Sequence, residues 1–259
     1  MHESILFSQD GAIATITLNR PKAFNSFTMP MQQAMLEALD KVRSDDSIRV
    51  CVITGEGEKA FCAGQDLRAT QEPDFDFTKV VEGGYNPMIQ AIRDIEKPFV
   101  CRLNGVAAGA GASLALACDY VLASERASML WAFVNIGLVL DSGSSWFLPK
   151  LVGMRKAFEL ASLGEKIDAE TAFELGIVNK VVTATDLDNA TADIATRYAQ
   201  MPPLAVGYIK RMLNSAETSS LSEALNMELE LQAKAGSTAD YAEGVAAFME
   251  KRKPVFKGK

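Results

Sequence analysis

Histidine is almost absent from this sequence, since the 259 residues contain one, His2. Cysteine is scarce too, and no two of Cys51, Cys62, Cys101 and Cys118 form a C-x-x-C pair. Structural zinc sites are built mainly from these two residue types, and a Ser-His or Cys-His nucleophile pair would have to use a histidine at the very start of the chain. We therefore expect no metal site, and cysteines that are free and buried as small apolar side chains.

Long apolar runs and an excess of positive charge are also missing. No stretch approaches the roughly 18 apolar residues of a membrane span, and Met1 to Ser4 do not resemble a signal peptide. The net charge of −7 disfavours a surface that neutralises nucleic-acid phosphates. With 48% apolar and 23% charged residues, the composition is that of a globular protein. We expect a cytoplasmic protein that binds neither a membrane nor a nucleic acid.

Local patterns in the first half of the chain alternate between strand and helix. Apolar residues on either side of Asp10-Gly11 predict a β-hairpin within residues 5–18. Thr28 suits the start of a helix whose apolar residues recur at helical spacing. The segment 68–86, rich in charge and containing paired glycines, predicts a mobile loop or lid. Other runs predict strands at 50–54, 99–103, 120–123 and 129–133, and helices at 86–95 and 113–118.

The second half of the chain is predicted to be mainly helical. After residue 154, Asp168 suits the start of one helix and Gly176 its end, and long helices are expected between residues 186 and 249. One strand is predicted at 178–182. Strands and helices that alternate first, with helices last, favour an α/β core with a helical appendage. We place the core at residues 1–195 and the helical region at 196–259.

Two short segments that follow predicted strands have unusual backbone features. Residues 59–67 include Ala63-Gly64-Gln65-Asp66, which alone would be an ordinary turn. Residues 105–112 are mostly glycine and alanine, so a ligand or another backbone can approach closely. Because this segment leads into a helix, its free N–H groups attract negative charge. The N–H groups could bind a phosphate or an oxyanion that develops during a reaction. The glycine spacing fits neither G-x-G-x-x-G nor a P-loop, so a nucleotide phosphate is only weakly supported.

An ordered series of short motifs covers nearly the whole chain. The series consists of Leu18 to Asn25, the two segments just described, Asp119-Tyr120, Gly137-Leu138, Gly164 with Ala169 to Ala172, Gly176 to Val178, Glu243 to Phe248, and Lys251 to Pro254. In this order the motifs resemble the enoyl-CoA hydratase/isomerase (crotonase) superfamily. The resemblance implies a crotonase-like spiral of β-β-α units with a C-terminal helical trimerisation region. It further implies a homotrimer or homohexamer and an acyl-CoA substrate, with coenzyme A as part of the substrate and no separate cofactor.

The same resemblance implies the residues of the site. Backbone N–H groups of Gln65 and Ala110 would form an oxyanion hole, in which the side chain at position 65 is incidental. Such donors matter because removal of an α-proton puts negative charge on the thioester oxygen. The Ala63 carbonyl is expected near the CoA adenine, and lysines near its phosphates. The residues expected to contact substrate are Lys22, Ala23, Ala63, Gly64, Asp66, Leu67, Tyr85, Gly109, Ser113, Phe133, Leu138 and Lys257.

The chemistry depends on which acid or base is present. Ser113 and Phe133 stand where hydratases of the superfamily carry two glutamates, and neither can act as a carboxylate base. Asp141 has apolar neighbours, so its burial would raise its pKa and make it a better base. Isomerases of the superfamily carry a catalytic aspartate at this position.

Other interpretations of these residues remain open from the sequence. Asp141 can also be the N-cap of a helix that begins near Ser144, although Ser142 could cap that helix instead. The resemblance favours proton transfer by Asp141, and hence an isomerase of an unsaturated or epoxidised acyl-CoA. The alternative is an enoyl-CoA hydratase, or a hydrolase, acting through water held by Ser113. RNA binding, which occurs in some superfamily members, is disfavoured by the acidic charge.

Overall fold

The computed structural model describes residues 3–71 and 73–259, so His2 lies outside the described residues. The strands are β1 (Ile5–Asp10), β2 (Ile13–Leu18), β3 (Val50–Gly55), β4 (Ala60–Cys62), β5 (Phe99–Leu103), β6 (Val106–Ala108), β7 (Tyr120–Ser124), β8 (Ser128–Leu130), β9 (Ile167–Asp168) and β10 (Lys180–Val182). The helices are α1 (Met29–Ser44), α2 (Phe77–Val80), α3 (Asn86–Asp94), α4 (Ala110–Ala117), α5 (Ser144–Leu163), α6 (Ala169–Glu174), α7 (Leu187–Gln200), α8 (Pro203–Ala216), α9 (Leu221–Gly236) and α10 (Ala239–Glu250). Short 3-10 turns lie at Pro21–Ala23, Ala69–Gln71 and Ala132–Ile136, and a π-helical turn at Val81–Tyr85.

The first sheet begins with the predicted hairpin. β1 and β2 pair antiparallel, with Ile5 opposite Leu18, and Gly11 turns the chain with φ of 55°. The sheet continues in the order β1-β2-β3-β5-β7-β10, and the pairs beyond the hairpin are parallel. Every residue of β3 is buried, as expected for a parallel strand that is covered on both faces.

The second sheet has the order β4-β6-β8-β9. The short strands β4, β6 and β8 each follow a strand of the first sheet along the chain, whereas β9 follows α5. The chain therefore advances in β-β-α units. Successive turns of this spiral approach closely at glycines: a Cβ on Gly105 would collide with the Lys59 carbonyl, and one on Gly111 with the Cys62 carbonyl. The small residues at 105–112 thus pack one turn of the chain against the turn before it.

α1 covers the first sheet with the apolar face that its sequence predicts. Thr28 occupies the N-cap position, although its side chain makes no capping hydrogen bond. Met31, Met35, Leu39 and Val42 are fully buried, and burial of each such side chain stabilises the fold by about 1.5–3 kcal/mol. The four cysteines are free and buried in the core, as predicted.

Two predicted elements are wrong in part. The segment 68–86, predicted as a mobile loop or lid, is helical from Phe77 onward. There α2, the π-helical turn and α3 follow one another without a break. Asp76 starts this helix by accepting a hydrogen bond from the Thr78 N–H at 2.8 Å. The strand predicted at 129–133 ends already at Leu130, since β6 offers β8 only three residues with which to pair.

A buried cation attaches the later helices to the core. Lys210 of α8 donates hydrogen bonds to the carbonyl oxygens of Ile92 and Lys97 and forms an ion pair with Asp119 at 2.7 Å. Burial lowers the pKa of Lys210, and the charge of Asp119 opposes that shift. This connection ties α8 to α3 and to the start of β7.

The helical region leaves much apolar surface uncovered in the single chain. Large apolar side chains of α5, α8, α9 and α10 are exposed: Met154, Phe158, Leu163, Ile209, Leu213, Leu221, Leu225, Leu229, Phe248 and Met249. The domain boundary predicted after residue 195 falls inside α7, where Ala195 packs against β3 and β5, and the division itself stays a prediction. In the described part of the chain, no helix is both long and apolar enough to span a membrane.

Candidate active site

A mostly apolar cavity of about 220 Å³ lies at the ends of β4 and β6. The structure brings most of the predicted site residues together around it: Ala63, Gly64, Gln65, Leu67, Tyr85, Gly109, Ala110, Phe133, Leu138 and Asp141. Its lining also includes Phe77 of the helical segment and Ala108 of the glycine- and alanine-rich segment. Local sequence patterns did not indicate the other lining residues of the helical segment and the 3-10 turn: Val80, Val81, Ala132, Asn135 and Ile136.

Two backbone N–H groups at the cavity, those of Gln65 and Ala110, have no acceptor among the described residues. Gln65 forms an isolated parallel bridge with Phe27, but the hydrogen bonds of this bridge use the Gly64 carbonyl and the Asp66 N–H. Ala110 is the first residue of α4, where N–H groups have no partner within the helix. Both groups are thus free to donate to an oxygen that develops negative charge.

Two glycines bring these segments together. Gly64 has a φ of 84°, and a Cβ at this residue would lie 2.8 Å from the Ala108 carbonyl oxygen and 3.4 Å from the Ala110 nitrogen. Gly109, immediately before α4, has φ 53° and ψ −124°, a conformation that glycine adopts readily and other residues do not. The loop after β4 and the start of α4 therefore meet backbone to backbone.

Asp141 places a carboxyl group in the same cavity. Burial raises the pKa of Asp141 above its ordinary value, and the Ser142 hydroxyl, which donates to Oδ1 at 2.8 Å, partly opposes this shift. The lining around it is largely apolar, including Phe133, Leu138 and Ile136. A carboxylate in such a setting holds a proton more readily than one in water, and this property suits a group that must accept and return protons.

The interpretation of Asp141 as a helix cap is wrong. The N-cap residue of α5 is Gly143, with φ of 82°, and no side chain caps this helix. The Asp141 carboxylate instead accepts from Ser142, while the Asp141 backbone carbonyl accepts from the Ser144 N–H at 3.0 Å. Ser142 does not cap α5 either. Capping therefore does not account for the Asp141 side chain.

Ser113 is fully buried behind the cavity and does not line it. Its hydroxyl lies 2.6 Å from the Ser144 hydroxyl and 3.2 Å from the backbone carbonyl of Asp141. The Trp131 indole N–H donates to Ser144 at 3.0 Å. These contacts join α4 to the start of α5, so Ser113 has a clear structural use in fixing the Asp141 backbone.

Tyr85 and Gln65 face each other inside the cavity. The Tyr85 hydroxyl donates to Gln65 Oε1 at 2.9 Å. Burial raises the pKa of Tyr85 well above its usual range, and the nearby charge of Asp141 raises it further, so the hydroxyl keeps its proton. The Gln65 Nε2 atom is buried and has no hydrogen-bond partner among the described residues.

Asp66 turns away from the cavity toward two arginines. Its carboxylate lies 3.2 Å from Arg68 and 2.9 Å from Arg20. Hydrogen bonds, from Arg68 above all, lower the pKa of Asp66 to about 2. Arg20 also donates to the Ser26 carbonyl at 2.5 Å. These contacts of Asp66 hold the segment around Gln65 in place. Contact between Asp66 and substrate stays a prediction.

The remaining predicted residues lie apart from the cavity lining. Lys22 and Ala23 belong to a 3-10 turn, and the Lys257 N–H donates to the Asp240 carboxylate near α10. Their predicted roles at coenzyme A stay predictions, as does substrate contact by Ser113. Over residues 3–71 and 73–259, no group of three or more histidine, cysteine, aspartate or glutamate residues is arranged to hold a metal ion.

Known proteins similar to this chain act on related thioesters, according to their names. Residues 8–259 match the family model described as enoyl-CoA hydratase/isomerase. The chain is 42% identical to the 1,2-epoxyphenylacetyl-CoA isomerase of Escherichia coli (strain K12), over 100% of both chains. It is 36% identical to the trans-2-decenoyl-(acyl-carrier-protein) isomerase of Streptococcus mutans serotype c, over 99% of both. The crystal structure of enoyl-CoA hydratase from Bacillus anthracis superposes with a TM-score of 0.94 at 30% identity, over 99% of this chain and 100% of that one.

Proposed function

The chain belongs to the enoyl-CoA hydratase/isomerase family, and from this premise we propose that it is an acyl-CoA isomerase. One observation carries the proposal: a carboxyl group with a raised pKa, Asp141, shares an apolar cavity with the free N–H groups of Gln65 and Ala110. Asp141 is the only acidic side chain among the described residues that line this cavity. A lone carboxylate suits a reaction in which the same group takes a proton from one carbon and returns it to another.

The proposed mechanism follows from this arrangement. The thioester oxygen accepts hydrogen bonds from the Gln65 and Ala110 N–H groups. Asp141 then removes a proton from the acyl chain, and the negative charge moves to the thioester oxygen, where each N–H donor is worth roughly 3–4 kcal/mol in the transition state. The protonated Asp141 returns the proton at a different carbon. No electrons leave the substrate in this sequence, so the mechanism needs no cofactor beyond the coenzyme A of the substrate.

Hydration of an enoyl-CoA is the alternative, and the family includes hydratases such as the one from Bacillus anthracis. The setting of Ser113 favours isomerisation. Its hydroxyl is buried and contacts Ser144 and the Asp141 backbone, so it does not offer a base for water in the cavity. Phe133 lines the cavity with an apolar ring. Asp141 alone would have to serve both steps of hydration, activation of water and protonation of carbon.

The similarity to the Escherichia coli isomerase supports a more specific substrate. We take the acyl group to be an epoxidised phenylacetyl group, as in 2-(1,2-epoxy-1,2-dihydrophenyl)acetyl-CoA, or a related enoyl group. The apolar walls formed by Phe77, Val80 and Phe133 suit a ring or a short alkenyl chain. In this interpretation the CoA portion extends beyond the cavity toward the predicted lysines.

Mass spectrometry of the products in ¹⁸O-labelled water tests the proposal. The purified protein is offered a panel of aromatic epoxide, 3-enoyl and 2-enoyl CoA thioesters. An isomerase gives products of unchanged elemental composition without labelled oxygen. A product that gains the mass of one water and carries ¹⁸O would instead establish a hydratase, and no turnover of any thioester would reject both assignments.

A further inference from the structure

Three fully buried polar side chains lie behind the cavity, between the start of α4 and the segment that carries Asp141. They belong to Ser113 of α4, Ser144 at the first position of α5, and Trp131, which precedes the 3-10 turn at the cavity. None of the three lines the cavity. The proposed proton transfer gives these side chains no part, although hydrogen bonds join them in one series.

The chemistry of the three groups fixes the direction of their hydrogen bonds. The Trp131 indole nitrogen can only donate, so the Ser144 hydroxyl accepts from it at 3.0 Å. The Ser144 hydroxyl lies 2.6 Å from the Ser113 hydroxyl and has no other acceptor among the described residues. Ser144 therefore donates its one proton to Ser113, and the proton of Ser113 is left for a backbone carbonyl.

The end of this relay contacts both parts of the proposed site. The Ser113 hydroxyl lies 3.2 Å from the Gly109 carbonyl oxygen and 3.2 Å from the Asp141 carbonyl oxygen, and one donor can be shared between two acceptors. Gly109 immediately precedes the Ala110 N–H. The Asp141 carbonyl also accepts from the Ser144 N–H at 3.0 Å. The relay therefore connects the backbone beside the oxyanion donor to the backbone of the base.

We propose that Trp131, Ser144 and Ser113 are positioning residues, which set the distance between the Asp141 carboxylate and the Ala110 N–H through this buried relay. The inference rests on the proposed function and deepens it, because it names what holds the base and the oxyanion donor in one geometry. A buried hydrogen-bond network with every member paired is rigid. That rigidity matters because a displacement of about 1 Å can lower a rate by about 10²-fold.

Deuterium exchange and thioester binding together provide the test. Phenylacetyl-CoA and trans-3-hexenoyl-CoA are each incubated with enzyme in deuterated water, and deuterium gain at the α-carbon is measured by mass spectrometry. In Ser113→Ala and in Ser144→Ala, exchange should fall by about 10–100-fold. Calorimetry should show an unchanged Kd for both thioesters. Displaced catalytic groups lower the rate alone, whereas a general disturbance of the cavity would weaken binding as well.

A double variant tests whether the two hydroxyls act as one unit. Because both single substitutions break the same relay, Ser113→Ala/Ser144→Ala should exchange no more slowly than Ser113→Ala alone. Each single variant decides the matter by itself if the other does not fold.

Ser124→Ala is the matched control. Ser124 is a buried serine of β7 whose hydroxyl accepts from the Arg126 N–H at 3.2 Å, and it does not line the cavity. This variant should keep the exchange rate of the wild type.

The outcomes separate the inference from the proposed function. Exchange at the wild-type rate in both single variants overturns the role of the relay while the isomerase proposal stands. The same conclusion follows if the losses of the single variants multiply in the double variant, if Kd rises by the factor by which exchange falls, or if Ser124→Ala loses as much. If the wild type exchanges neither thioester, the proton-transfer proposal fails and the inference fails with it.

Discussion

Asp141 carries its carboxyl group in surroundings that penalise negative charge. Burial raises its pKa, and the Ser142 hydroxyl offsets this only in part. The folded protein therefore binds the Asp141 proton more tightly than the unfolded chain does. At this residue, stability is greatest below the unfolded pKa of about 3.9 and declines as pH rises through the higher folded pKa. Such a group favours function over stability.

Asp141→Asn should therefore stabilise the protein near neutral pH. Asn is neutral at every pH and keeps an oxygen for the Ser142 hydroxyl, so the penalty of burying a charge disappears. Denaturant unfolding should show a larger free energy of unfolding for the variant at about pH 8, with the difference vanishing toward about pH 4.

Asp168→Asn is the matched control, for which the stability at neutral pH should change in the opposite direction. Asp168 caps α6 from an exposed position, and the Thr171 N–H lowers its pKa. Its carboxylate contributes stability above its unfolded pKa, which is lost as pH falls through the lower folded pKa. Asp168→Asn should therefore lose stability at neutral pH. A loss of the same kind in Asp141→Asn would show that the Asp141 charge is stabilising and that its pKa is not raised.

At the scale of single residues, the sequence predicted those properties that depend on neighbours along the chain. The apolar neighbours of Asp141 suggested a raised pKa, which the structure bears out in direction. The pairing of Gln65 with Tyr85 had no local signal, because the two residues lie 20 positions apart and Tyr85 belongs to a segment predicted as irregular. The side chain at position 65 was expected to be incidental because the resemblance gives a role only to the backbone N–H of this residue.

Among the secondary-structure elements, α4 and the glycines before it are the most demanding part of the site. All residues of α4 are buried, and Gly109 holds a backbone conformation that aims the Ala110 N–H. The sequence indicated this segment correctly because glycine and alanine alone permit such close approach. The helix predicted at 86–95 is present, but the helical residues 77–85 before it were not indicated, because the π-helical turn depends on tertiary packing, with Tyr85 edge-on against Phe27 at 5.7 Å.

Gly109→Ala should lower kcat more than it lowers stability. The added methyl group finds ordinary space near Phe133, at 3.7 Å, so the harm comes from the positive φ that alanine resists. A shift of this backbone moves the Ala110 N–H, and loss of one such donor lowers kcat by about 10²–10³. Steady-state kinetics beside thermal unfolding would measure both effects.

Gly236→Ala, at the end of α9 with open space around the added methyl group, is the matched control and should keep wild-type kcat. Unchanged kcat in Gly109→Ala would remove the Ala110 N–H from the mechanism.

The whole molecule has the fold that its motifs predict. Solved structures of the family superpose over almost the full chain, so the crotonase-like spiral is confirmed. The division of strands between two sheets was not visible in local patterns, because it depends on which distant strands pair. Many large apolar side chains of the later helices are exposed in the single chain, and clustered exposed apolar surface often marks a protein–protein interface.

We expect this surface to be covered by further copies of the chain in a trimer or hexamer. Sedimentation velocity should show one of these species for the wild type. Phe158→Asp on α5 and Phe248→Asp on α10 change side chains that are 71% and 82% exposed in the single chain, and each should shift the protein to smaller species. Leu6→Asp, at an exposed apolar residue of β1, should not. A fully active monomer at micromolar concentration would contradict the expectation.

The most direct test of the central claim is proton exchange by Asp141→Asn. An unreactive or slowly reacting acyl-CoA is incubated with enzyme in deuterated water, and deuterium gain at the α- and γ-carbons is followed by mass spectrometry. If Asp141 is the base, exchange in the variant should fall by about 10²–10⁴ relative to the wild type, while CoA thioester binding and the fold persist. Exchange at the wild-type rate in Asp141→Asn would contradict the account.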